Sequence, residues 1–145
     1  MSDGPALGID TTVVLLWGGL IFLAALVLGV WKYRQMVGSE QGVAHPYVDT
    51  AHRAALLYAF ATLLIAVFVE LSGWPTIANL VAAGTTVAFF VAAIATYVYH
   101  GWRRDTDNQI RQPVRGTRAF MVALIGGEIG GFAVLLAGFV HQQLL

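Results

Sequence analysis

The chain has 145 residues, of which 58% are hydrophobic and 11% charged, with a mean hydropathy of +0.73. Soluble domains run near about 45–50% apolar and about 25% charged residues, so water is not the main solvent of this protein. Eight Lys and Arg balance eight Asp and Glu, leaving no net charge to draw a nucleic acid, and the absence of cysteine excludes a disulfide framework, a thiolate metal site and a thiol nucleophile.

A helix needs about 20 mostly apolar residues to cross a hydrocarbon core roughly 30 Å thick, and four such stretches use up most of the sequence. The chain is therefore expected to be one all-α domain over residues 1–145, an integral membrane four-helix bundle with spans at about 11–32, 51–71, 76–99 and 119–140. The opening MSDGPALGID lacks the basic region of a cleaved signal peptide, so the first span is expected to persist. Pro46 and Pro75 stand just ahead of the second and third spans, where a missing N–H is harmless, and Gly38, Gly73 and Gly101 follow helix ends. Every Lys and Arg (Lys32, Arg34, Arg53, Arg103, Arg104, Arg111, Arg115 and Arg118) falls at the first or third connection. The positive-inside rule then makes the basic loops 33–50 and 100–118 cytoplasmic, with N-out/C-out topology in a bacterial-type inner (plasma) membrane. Asp3 and Asp10 face outward with no positive partner, and Glu70 and His141 are expected to be wetted at the same side.

Ionisable groups inside a span are expensive, roughly 2.5–3.5 kcal/mol each on insertion scales, so each calls for a partner or a role. Glu128, near the middle of the last span, is the clearest case. It is read as functional or cavity-lining, with an interhelical hydrogen bond as the plain alternative. The same span carries Gly126, Gly127, Gly130 and Gly131, two overlapping GxxxG patterns that serve packing within the chain or a homo-oligomer. On the third span Asn79, Thr86, Tyr97 and His100 form one polar stripe. His52 and Arg53 open the second span, where the arginine snorkels and the histidine, about 100° away, turns into the bundle. With Tyr58, Tyr97 and His100 it is expected to line one pocket. Tyr47 and Tyr99 read as interfacial belt residues. The third connection lacks the glycine and distal glutamate of a calcium loop despite Asp105, Asp107 and Asn108, and its arginines suit lipid headgroups or haem propionates.

The Ala51-His52 pair opening the second of four spans, with Tyr97 late in the third, resembles styrene oxide isomerase, a small four-span membrane enzyme family whose ferric haem b opens epoxides. His52 and Tyr97 are 45 positions apart (97 − 52), in agreement with that family's spacing. The resemblance implies haem b held by His52, with Arg53 beside it, Tyr97 orienting the oxygen of a small apolar epoxide during isomerisation to an aldehyde or ketone, and a homotrimer. Tyr58 stands where that family has asparagine, which leaves the substrate and the reaction open. Two rivals stand beside this reading. One is a bis-histidine haem electron carrier using His52 and His100. The other is a cofactor-free oligomeric channel, transporter or assembly subunit in which Glu128 and Asn79 line a polar path.

Overall fold

The computed structural model describes residues 6–113 and 115–145; Asp3 lies outside them. All regular structure among the described residues is helical, in four helices: α1 (Ile9–Val37), α2 (Pro46–Glu70), α3 (Thr76–Arg103) and α4 (Thr117–Gln143). Each is long and apolar enough to cross a membrane, and together they form a four-helix bundle of a multi-pass membrane protein. The expected spans sit inside these helices except for the last residue of the second, since α2 ends at Glu70. The helices outrun the apolar windows mainly at the basic end, where α1 continues to Val37 and α3 to Arg103. Hydropathy marks only the stretch buried in lipid, whereas a helix continues until a residue stops it.

Those stops are identifiable. Pro46 fills the first turn of α2, and His45 Nδ1 accepts from the Tyr47 N–H at 3.2 Å as its cap. Arg104 ends α3 in the left-handed region at φ 51°, and Gly116, at φ 93°, turns the chain into α4. The start of α1, the end of α4 and the 71–75 turn share one end: Gly8 N donates to Glu70, and Gly73 N donates to Gly138 O at 3.2 Å. The 38–45 and 104–116 connections make up the other, basic end.

Between helices surrounded by apolar solvent, close backbone approach replaces hydrophobic burial as the source of packing energy, and small residues permit it. Ala25, Ala51, Ala55 and Ala83 are fully buried, while Leu16, Leu57 and Ile77 project outward. Thr62 and Thr86 donate to the carbonyls of Tyr58 and Ala82 within their own helices, which satisfies two buried hydroxyls. The paired glycine patterns of α4 divide by face. A Cβ at Gly127 or Gly131 would run into Phe89 or Thr86 of α3, whereas Gly126 and Gly130 have nothing near them.

Replacing Gly131 with Leu is expected to lower stability by about 1–3 kcal/mol through overpacking against α3, while Gly126→Leu stays within about 0.5 kcal/mol. Thermal unfolding in mild detergent checks the order of the two; a larger loss at Gly126 would mean that α4 docks through its other glycine face.

Candidate functional site

The polar side chains within the bundle fall on two different faces of α2. His52 turns toward α1. Its ring covers Gly29, where a Cβ would lie 2.9 Å from Cε1, and its Nδ1 is 2.9 Å from the Ala25 carbonyl oxygen. A carbonyl only accepts, so Nδ1 carries the hydrogen, and in the neutral ring Nε2 is left with its lone pair. Metal-ligating histidines are commonly held by just such a bond from the other ring nitrogen. Farther along the same α1–α2 seam, roughly 10 Å beyond His52 at 1.5 Å per residue, an apolar groove of about 240 Å³ is lined by Leu15, Gly18, Phe22, Ala59, Phe60 and Leu63 among others. Arg53 projects outward, 72% exposed, and meets Asp49 at 3.5 Å one turn back.

Tyr47 and Tyr58 lie on another face, about 20° apart around α2, with Tyr47 about 140° from His52. Tyr58 stacks on Phe90 of α3 with ring centroids 4.2 Å apart. Tyr47 stacks on Tyr97 at 6.0 Å and tilts against His100 at 5.5 Å. It is 9% exposed, and its hydroxyl accepts from the Gln109 N–H at 2.7 Å. The belt expectation therefore fails for Tyr47: the 104–116 connection folds back over it. Tyr99 is 48% exposed with the Arg103 guanidinium over its ring, as a belt residue should be. Tyr47 was missed because an aromatic one residue after a helix-opening proline looks the same in sequence whether a loop covers it or not.

Two histidine–aspartate pairs hold that connection down. His100 Nδ1 meets Asp105 Oδ1 at 2.7 Å, and His45 Nε2 meets Asp107 Oδ1 at 3.1 Å. The His100 hydrogen bond draws the Asp105 carboxyl below its ordinary range. Asn108 Oδ1 accepts the N–H groups of Ile110 and Arg111, so the segment is a side-chain-stabilised turn.

Glu128 borders an apolar groove of about 490 Å³ between α2, α3 and α4, together with Ile65, Thr86, Phe90 and Phe132. Its Oε1 is buried without a hydrogen-bond partner. Asn79 is far from all of these, at the end of the bundle where α1 starts. It is 2% exposed and bonded through Nδ2 to Asp10 of α1 at 3.0 Å. Glu70 accepts from Thr11 and from Gly8 N.

Of the expected pocket, then, Tyr97 and His100 are brought together through Tyr47, and Tyr58 stands on the same side of α2 about three turns along, stacked on Phe90, which borders the Glu128 groove. His52 is on the α1 side, and none of the hydrogen bonds or ring contacts of the described residues joins it to Tyr58, Tyr97 or His100. No three acidic or histidine side chains among the described residues converge as a metal cluster. The chain matches no family model, no curated protein and no solved structure.

Because the Asp105 carboxyl is lowered in the folded chain, the tie it makes is fully present above the ordinary carboxylate range and is lost as pH falls through the lowered value. Hydrogen exchange of the 104–112 segment is expected to stay slow through the ordinary carboxylate range and to quicken only below it, while Asp105→Asn quickens it at neutral pH. Opening of the native segment at the pH where free carboxylates titrate would contradict the assignment.

Proposed function

We propose that this protein is a membrane haem b protein that isomerises small apolar epoxides to carbonyl compounds, with His52 as the axial ligand. The observation that carries this reading is the His52 ring: Nδ1 is committed to the Ala25 carbonyl, so the ligating lone pair is on Nε2. Gly29 lets the ring lie close against α1, and an apolar groove floored by Gly18 and Ala59, suited to an apolar ligand, opens about 10 Å farther along the same seam. Arg53, one residue on and 72% exposed, is the side chain that would meet a propionate. When bound, ferric haem supplies an open coordination position that withdraws electron density from an epoxide oxygen.

Tyr97 is the residue that would orient that oxygen through its hydroxyl, yet it stands on α3, against the Tyr47 face of α2 and not the His52 face. A haem on His52 therefore meets Tyr97 and Tyr58 only from a second copy, with the seam face of one chain laid against the α2–α3–α4 face of the next. A heterologous contact of this kind forms a ring when its rotation closes, and a three-fold rotation would give the trimer that the resemblance implies. Placing the basic end in the cytoplasm follows from the positive-inside rule. A single iron bound by His52 and His100 of one chain has no such support, because the two rings sit on different faces.

A second reading rests on Glu128, whose buried, unpartnered Oε1 beside an open groove is unusual inside a span. In that reading copies of the chain assemble a conduit around the carboxylate and no cofactor is needed.

Absorption spectra of wild type and His52→Ala, purified side by side from haem-replete cells, test the proposal. A Soret band in the wild type and its loss in His52→Ala are expected, with Glu128→Gln retaining it. A colourless wild type sinks the haem reading, and loss of transport in Glu128→Gln would then put the conduit in front.

A further inference from the structure

Glu128 stands in the 27-residue α4 roughly 16 Å from its start at 1.5 Å per residue, too deep for so short a side chain to reach the headgroups. No hydrogen bond meets its buried Oε1, and none of the ion pairs among the described residues includes it. All eight Lys and Arg stand at or beside the first and third connections, so the chain has no basic side chain at that depth. A neighbouring copy laid against this face brings none either. Since an unpaired carboxylate in hydrocarbon is costly, pairing it takes a cation from outside the chain.

The groove that Glu128 borders suits a small apolar molecule, for its volume of about 490 Å³ lies within the roughly 300–1,000 Å³ of ligand sites. Glu128 and Thr86 are the two polar side chains of its lining. The Thr86 hydroxyl hydrogen already goes to the Ala82 carbonyl at 3.2 Å, which leaves that oxygen able to accept. Both polar groups therefore call for a donor. Phe90 and Phe132 border the same groove and are held by other rings: Phe90 stacks on Tyr58 with centroids 4.2 Å apart, and Phe132 meets Phe68 edge-on at 5.1 Å. Aromatic rings attract a cation, and rings already fixed lose little freedom on binding one.

We propose that this groove between α2, α3 and α4 binds lipophilic amines in their ammonium form, with Glu128 as the counter-ion and Phe90, Phe132 and the aliphatic walls around the apolar body. An ammonium neutralises the carboxylate, supplies N–H donors where the groove offers acceptors, and brings an apolar body to apolar walls. A hydroxyl donates a hydrogen but brings no charge. The site makes no use of His52, so it is independent of the haem reading, and it gives Glu128 a ligand without requiring a conduit.

Equilibrium dialysis of the full chain in mild detergent tests this, with 1-naphthylmethylammonium as the probe and 1-naphthylmethanol, of similar shape without the charge, as its control. Saturable binding of one amine per chain is expected, weaker by roughly tenfold or more both for the alcohol and in Glu128→Gln. Binding is expected to persist in His52→Ala, which separates it from an amine ligating haem iron. If Glu128→Gln does not fold, the comparison of amine and alcohol on the wild type decides. The proposal is overturned by no saturable binding beyond that of empty micelles, by binding undiminished in a folded Glu128→Gln, by equal binding of amine and alcohol, or by loss of binding in a folded His52→Ala. Haem content is scored on His52 and amine binding on Glu128, so either can fail without the other.

Discussion

Hydrocarbon offers no hydrogen bonds, and that one constraint shapes most of what this chain does. Backbone groups inside lipid must be paired within their own segment, which restricts the fold to long helices. Side-chain hydroxyls obey the same rule, so Thr62 and Thr86 bond back to their own helices. Once nearly everything is paired, the exceptions stand out. Asn79 Oδ1 and Glu128 Oε1 are two of the three buried side-chain atoms without a partner among the described residues, the third being Gln109 Nε2 in the 104–116 connection. One belongs to the amide whose nitrogen bonds Asp10 at the end of the bundle, the other lies beside an open groove within it.

Helical periodicity then decides which polar groups can cooperate. Along α2, His52 and Tyr47 are close in sequence but about 140° apart around the axis, so one meets α1 and the other α3. The small residues of α1 set how near His52 can come. Gly29 gives the ring a bed, and the Ala25 carbonyl fixes which nitrogen is protonated. A methyl group at position 29 would move the ring and with it the ligand geometry on which the haem reading rests. Function on this account needs two faces of the bundle, which makes the contact between copies part of the site.

How much of this was legible in the sequence differs from element to element. The four spans were, because twenty apolar residues have few other uses in a chain this poor in charge. Their ends were legible only in part: Gly38, Pro46 and Pro75 stand at three of them, but Gly101 lies inside α3, and Arg104 in the left-handed region and the His45 cap are local geometries without a hydropathy signal. That His52 differs in direction from Arg53 was readable from 100° per residue, but whether it turned toward α1 or α3 depends on how the helices are arranged around α2, which no single-helix pattern contains. Asp10 was read as unpartnered because only positive charges were sought for it; its partner is the neutral Asn79, 69 residues away. The stripe of Asn79, Thr86 and His100 on α3 was readable, and all three are buried. The stripe nonetheless serves two ends of the bundle, since its length exceeds any single pocket.

The claim on which the functional account depends is that His52 holds its hydrogen on Nδ1 and offers Nε2. Nitrogen-15 NMR of the histidine-labelled, haem-free chain, with His52 assigned by comparison with His52→Gln, measures this directly. The account predicts a protonated Nδ1 and an imine-like Nε2 whose resonance alone shifts when haem is added. A ring protonated at Nε2, or one that leaves both resonances unmoved by haem, would contradict it.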